Sequence, residues 1–334
     1  TTSVSNAASV INRFIETDRS VTLYTLDLDA AQKLELFRLA EHDVQPENRN
    51  YLYNHFTDNC VTRILRNLDT VIGGTLSQQA LETPGRLTLR GHVRRHTAAH
   101  PVWDWLLNFW MGQVIDKPVS VWQEMFLPSE VGRFIEGFSY TAADGAQHKL
   151  VSQVENIYTA RRAPVLEAPW NSLGGALAVG VLIALFFYQL EIFKKKNAGL
   201  ARRLLGAGHA LLGIVFGIAG SLLFFLTFFT NHDYTFENSN VLFVNPLLLL
   251  AVPFGALLAV TNNEKKARIY ENVLCMLWTY VFLAALLSRI ITIVPSYYQN
   301  NGFVIAVLLP ISYMLGVPRI MLRKLISAGL RRQK

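Results

Sequence analysis

Cysteine is almost missing from this chain: 334 residues hold two, Cys60 and Cys275, so a disulfide-stapled fold is not expected. Close groupings of His, Asp and Glu at ligand spacing are also missing. His232-Asp233 alone does not make a metal site, so neither a metal nor another cofactor is expected. Charge is scarce after about residue 170, where long runs of Leu, Ala, Val, Ile, Phe and Gly take over, and this excludes a wholly soluble protein. Two stretches of that apolar half, 230–240 and 295–302, contain no Lys or Arg. The sequence starts at Thr1 with no initiator Met, signal peptide or visible export signal.

The net charge of +7 would suit nucleic acid, but its distribution argues against that partner. Beyond residue 170 the basic residues gather in three places: Lys194-Lys195-Lys196 with Arg202-Arg203, Lys265-Lys266 with Arg268, and Arg319 through Lys334. Each lies between or after apolar runs, where cytoplasmic loops collect positive charge. Five spanning helices are predicted, at about 172–193, 204–229, 241–260, 273–294 and 303–318, the last short and interrupted by Pro310. The loops lacking Lys and Arg then share the outer face with the N-terminal half, and the C-terminus is cytoplasmic. Five crossings from an outer N-terminus do end inside. Arg289, near the outer end of the fourth span, is a candidate functional charge or a snorkelling one.

That topology puts Cys60 and Cys275 on opposite sides of the bilayer, so they have no route to each other. Cys275 is expected to be packed within its helix. Cys60 follows the turn-forming pair Asp58-Asn59 and precedes a helically spaced run of Ile64, Leu65, Leu68, Val71 and Ile72. It therefore falls at a helix start, where unpaired N–H groups and the helix dipole favour an anion. The alternative is a small packed residue. An unpaired outer thiol needs a reason, and a nucleophile is the leading one.

The rest of the outer half reads as mixed α+β. A short helix holds Val10 to Ile15, a strand covers Ser20–Leu26, and Ala31, Leu34, Leu36 and Leu39 are spaced for one buried helix face. The basic run Thr88–His96 reads as a solvated face or a contact with phospholipid headgroups. Four of the six tryptophans, Trp103, Trp105, Trp110 and Trp122, fall within twenty residues and suggest an interfacial helix beside an acyl-chain groove. Residues 139–163, with Asp144-Gly145, read as a hairpin, and Pro164 and Pro169 mark the linker, giving domains of 1–168 and 169–334.

The pattern Glu47-Asn48-Arg49-Asn50-Tyr51-x-Tyr53-Asn54 … Asp58-Asn59-Cys60-x-Thr62-Arg63 resembles the hallmark of the Lnb-type bacterial lipoprotein N-acyltransferases. Leu87-Thr88-Leu89-Arg90, Gly112-x-x-x-Asp116-Lys117-Pro118, Phe126-Leu127-Pro128 and His232 … Asn238-x-Asn240 … Asn245-Pro246-Leu247 fit the same family. The resemblance implies an α+β papain-like extracytoplasmic domain, N-terminally incomplete here, fused to an all-α bundle of five transmembrane helices in the bacterial inner membrane. It also implies a Cys–His pair that moves an acyl chain onto the N-terminal amine of a membrane lipoprotein. The family's histidine precedes its cysteine in a Gly-His motif; here only His42 and His55 do so, neither in that context. The base is therefore expected upstream of residue 1, with His232 the candidate within the chain and His55 structural.

Under that resemblance Cys60 and His232 are catalytic, and Asn59 and Asp116 serve the oxyanion or orient the base. Arg90, Trp103, Trp110, Asn238, Asn240 and Arg289 bind substrate. The partners implied are a diacylglyceryl lipoprotein, phospholipid and the membrane, with no nucleic acid. A membrane-tethered cysteine amidase or peptidase, and a non-catalytic envelope subunit, remain the alternatives.

Overall fold

The computed structural model describes residues 3–142, 145–291 and 293–317. The Arg319–Lys334 basic run, the cytoplasmic C-terminus it implies and Asp144 of the hairpin turn lie outside those residues. The chain divides into two compact units, Thr1–His96 with Lys117–Ala168, and Thr97–Asp116 with Pro169–Lys334. The Trp-rich segment, which the sequence places in the outer domain, thus belongs with the apolar helices.

The first unit is α+β. Helix α1 (Ala7–Glu16) precedes strand β1 (Val21–Leu26), followed by α2 (Ala30–Val44), α3 (Cys60–Val71), α4 (Thr75–Glu82) and α5 (Leu89–Thr97). After Lys117 come the short α7 (Val121–Glu124), numbered past α6 of the second unit (Pro101–Trp110), and α8 (Pro128–Ile135). Strands β2 (Ser139–Thr141) and β3 (Gln147–Lys149) form a hairpin, and β4 (Val151–Tyr158) returns to pair antiparallel with β1, Tyr24 opposite Val154. Among the described residues the sheets are therefore two separate pairs. One core of Leu65, Leu68, Ile72, Leu76, Met125, Ile135, Phe138 and Leu150 lies under α3, α4 and the hairpin. The α2 face expected to be buried is only partly so. Leu36 packs against that core, whereas Leu34 and Phe37 are exposed, because the contact with α3 needs only one edge of the helix and is closed at its end by Asn67 donating to Asp43 (2.8 Å).

The second unit is helical. Four segments are long and apolar enough to cross a membrane: α9 (Leu173–Phe193), α10 (Ala198–Phe229), the stretch Ser239–Val260 that ends in α11 (Ala251–Val260), and α12 (Glu264–Ile291). The fifth apolar helix, α13 (Gly302–Leu315), has 14 residues and continues through Pro310, fewer than the roughly 20 needed for an upright crossing. Asn238 and Asn245 cap the 3₁₀ turns that open the third segment, each side chain accepting a backbone N–H two residues on. Small residues let the helices close up. A Cβ on Gly206 would sit 2.5 Å from the Gly255 carbonyl oxygen, and one on Gly255 would sit 2.6 Å from that of Gly206, so α10 and α11 meet backbone to backbone. Trp278 and Leu308 are fully buried at the centre. Cys275 is packed as expected, its thiol donating to the Gly316 carbonyl (3.1 Å).

Candidate active site

Cys60 is the first residue of α3 and is exposed. The residues on either side of it hold that turn. Asn54 and Asp58 exchange two backbone hydrogen bonds (3.0 and 3.1 Å), and the Asn54 side chain accepts the N–H groups of Phe56 and Thr57, closing a tight loop. Phe56, buried at the tip, meets the Phe126 ring edge-on with centroids 4.9 Å apart. Asn59 is 5% exposed and uses its whole amide. Its Oδ1 accepts from Val61 N and Thr62 N, and its Nδ2 donates to the carbonyls of His55 (2.9 Å) and Phe126 (3.0 Å). Thr62 Oγ1 returns the favour by accepting the Asn59 N–H (2.8 Å), completing a capping box.

The charged residues of the motif brace the same turn. Asp58 takes two parallel bonds from Arg63, both 3.0 Å, and a third from Arg66. The Arg63 guanidinium stacks 3.7 Å from the centroid of Tyr51. Burial first, then the charge of Cys60 nearby, push the Tyr51 hydroxyl above its ordinary value, with Arg63 opposing. Every motif residue from Asp58 to Arg63 except Cys60 and Val61 is committed through its side chain to the turn. Cys60 is the polar exception, exposed at a helix start whose first N–H groups lack intrahelical partners.

Behind this loop lies a charged network that sequence spacing does not reveal. The run Thr88–His96 is neither a solvated face nor a surface for headgroups: Arg90, His92, Arg94 and Arg95 are all buried. That removes the surface on which Arg90 was to bind substrate. Arg95 Nε donates to His92 Nδ1 (3.1 Å), so the ring proton resides on Nε2 and is given to Glu124 (2.7 Å). Glu124 also accepts the Leu87 N–H (2.7 Å), and Glu130 accepts from Arg95 (2.5 Å) and Arg86 (3.1 Å). His92, Glu124 and Glu130 bring ligand atoms within 4.8 Å of one another. Both imidazole nitrogens are already engaged and two guanidiniums supply the positive charge, so the chemistry of this cluster is that of an ion-pair network. Burial, the largest single influence, works to raise the Glu130 carboxyl, but the hydrogen bond and charge of Arg86, with the charge of Arg95, outweigh it and hold the group below its ordinary value. Glu124 is likewise held down, by His92 and backbone N–H groups against the cost of burial. The ring of Phe126, whose carbonyl receives Asn59, lies edge-on to His92 at 5.9 Å. The loop that carries Cys60 thus meets the network at Phe126.

In the second unit, Asn238, Asn240, Asp116 and Trp110 are brought together. Asn238 donates to the carbonyls of Phe109 (3.0 Å) and Trp110 (3.1 Å), and Asn240 to Phe109 (3.1 Å), capping the end of α6. Gln299 links Met111 O and Asn238 Oδ1, Asn301 donates to Asn240 Oδ1, and Asp116 accepts the Asn300 N–H (3.1 Å). Gly112 has no room for a side chain, since a Cβ would fall 1.9 Å from the Phe236 carbonyl oxygen. Gln299 and Asn301, fully buried, went unread in the sequence; amides between two apolar runs were the available signal. Trp103 is 64% exposed, whereas Trp105 and Trp110 pack against the helical core. Arg289 is exposed in the last turn of α12.

His232 is exposed, with Nδ1 2.9 Å from Thr230 Oγ1. That hydroxyl spends its one proton on the Leu226 carbonyl (2.7 Å). His232 Nδ1 must therefore be the donor, and in the neutral ring Nε2 then carries the lone pair.

Two family models match the chain: the Lnb N-terminal periplasmic domain over residues 3–95 and the Lnb transmembrane domain over residues 176–317. The Cys60 turn and the His92 end of the buried network fall within the first match, His232 and the Asn238–Asn240 cap within the second. Among curated proteins and solved structures there is no significant match.

Proposed function

Because the two matches, periplasmic domain then transmembrane domain, support an Lnb-type family for this membrane protein, we propose that it is a thiol-dependent acyltransferase that N-acylates membrane lipoproteins. The observation that carries the reading is the exposed Cys60 at the first position of α3, set in a turn held by the side chains of Asn54, Asp58, Asn59, Thr62 and Arg63. In this reading the first unit is a papain-like extracytoplasmic domain of the inner membrane. The second crosses five times, α13 being the fifth crossing.

The thiolate of Cys60 attacks an ester carbonyl of a phospholipid or of the lipoprotein's own diacylglyceryl group. The C–S bond forms as the ester C–O bond breaks, and the leaving alkoxide takes a proton from the base. The α-amine of the lipoprotein's first residue then attacks the thioester, gives its proton to the base and returns the thiolate. The oxyanion is held by the Cys60 backbone N–H. Asn59 acts by fixing that N–H in place, since both its donors are already given to carbonyls. His232 Nε2 is the candidate base within the chain, and Asp116, Asn238 and Asn240 hold the elements beside it.

The test is N-acylation of a diacylglyceryl lipoprotein in membranes that carry the full chain, read by mass spectrometry of the N-terminal peptide. Wild type is expected to acylate, and Cys60→Ala and Cys60→Ser to lose the product and a hydroxylamine-labile acyl adduct. Unchanged product from Cys60→Ala would overturn the assignment.

A further inference from the structure

At the end of the second unit where α9 finishes and α10 and α12 begin, the helices enclose a cavity of about 220 Å³ that neither the thiol chemistry nor the amide cap uses. Its lining is Lys194, Ala198, Arg202, Glu264, Arg268 and Glu271, with Ala267 as floor. The positive charges are unequally occupied. Lys194 Nζ lies between Glu271 (2.7 Å) and Glu191 (3.3 Å). Arg202, its side chain 13% exposed, reaches Glu264 (2.8 Å), whose own side chain is 81% exposed. Arg268 has no acidic partner among the described residues. The first residues of both α10 and α12, Ala198 and Glu264, line the same cavity, and two long helices thus add the positive ends of their dipoles.

A site for a simple polyanion would not keep carboxylates in its wall. A site for a zwitterion would. We propose that this cavity seats the headgroup of a membrane phospholipid bearing a phosphodiester and a primary ammonium, the phosphate on Arg268 and Arg202 and the ammonium on Glu264 and Glu271. Arginine suits the phosphate because its planar donors can grip two oxygens at once. The ammonium must be primary, because a trimethylated one offers no N–H to the carboxylates. The lipid is the source because the cavity lies at the ends of membrane-length apolar helices, where such headgroups are the concentrated phosphate. This site stands independently of acyl transfer at Cys60.

The experiment is lipid retention by the full chain in detergent, read by native mass spectrometry, with phosphatidylethanolamine, phosphatidylcholine, phosphatidylglycerol and inorganic phosphate offered separately. Phosphatidylethanolamine is expected to be retained about tenfold better than either other lipid, the scale of one well-made charge-assisted contact. Arg268→Gln, which breaks no ion pair of the fold, is expected to lower retention of all three lipids several-fold, and Lys265→Gln on the same helix to leave it intact. Equal retention of the three lipids, displacement by inorganic phosphate, or an unaltered Arg268→Gln would overturn the site. Preference for phosphatidylethanolamine over phosphatidylglycerol that survives Glu271→Gln with Glu264→Gln would overturn the ammonium half of it.

Discussion

At the scale of single residues, Asn59 carries more of the candidate site than its neighbours do. One amide caps α3 through Oδ1 and ties the loop to two carbonyls through Nδ2. Asn59→Ala removes both, taking its donor from the buried Phe126 carbonyl, and is expected to cost about 2–3 kcal/mol, read as a lower thermal midpoint of the full chain in detergent. Asn59→Asp keeps the cap and loses the two donations, so its midpoint should fall less while acylation still drops. A loss of activity in Asn59→Asp equal to that of Cys60→Ala, with no change in midpoint, would instead make Nδ2 a direct catalytic donor. Arg63→Lys should behave similarly, because a lysine cannot make the two parallel bonds to Asp58 while lying flat on Tyr51. This part of the site was legible in the sequence for a physical reason: apart from the Asn59 donation to Phe126, each of these contacts joins residues at most twelve apart, so the motif contains most of its own partners. His92, Glu124 and Glu130 lie 32 and 38 positions apart by residue number, and only the fold brings them together.

At the scale of elements, the buried network decides how α5 is fixed to α7 and α8. Removing one partner strands charges that have no water to turn to, so Glu130→Ala is expected to destabilise the first unit by about 3–5 kcal/mol. The pH dependence has a definite sign. The Glu130 and Glu124 carboxyls are held below their ordinary value of 4.5 in the folded state. Their contribution is therefore complete above that value and is lost as pH falls through the lower folded-state range. Acid titration of the full chain, followed by near-ultraviolet circular dichroism, should show a loss of tertiary signal below about pH 4.5 that becomes shallower in Glu130→Gln. A titration curve identical in the two proteins would remove the network from acid stability. Helix contacts in the second unit follow the opposite chemistry. Gly206→Leu has no flexible side chain to displace, only the Gly255 carbonyl and the Ala259 backbone. It should separate α10 from α11 and sharply reduce the yield of monodisperse protein. Sequence reasoning found these helices by their apolar runs but could not see which glycines touch, since helix length and composition carry no information about facing pairs.

At the scale of the whole molecule, hydropathy located the four membrane-length segments, because a run of apolar side chains long enough to cross hydrocarbon has no other stable place, although α10 and α12 begin at Ala198 and Glu264, six and nine residues before the expected starts at 204 and 273. The same reading put residues 97–116 in the outer domain as an interfacial helix, and in the structure they group with the second unit, Phe109 and Trp110 packing in its helical core. The count also hangs on α13, which at 14 residues is shorter than a membrane-length segment. Sidedness tests that count. With five crossings from an outer first unit, Cys60 and the loop at Ser296 face outward and the loop at Asn262 faces inward. Both loop positions are exposed, and Cys275 is buried, so single cysteines can be read against a silent background. In right-side-out vesicles an impermeant maleimide is expected to label wild-type Cys60, and also Ser296→Cys in a Cys60→Ala background. Asn262→Cys in that background should label only after permeabilisation. Labelling of Asn262→Cys and Ser296→Cys from one side would mean that α12 does not cross. Labelling of Cys60 and Ser296→Cys from opposite sides would break the parity on which the extracytoplasmic placement of the thiol depends, and the acyltransferase proposal would lose its access to the lipoprotein amine.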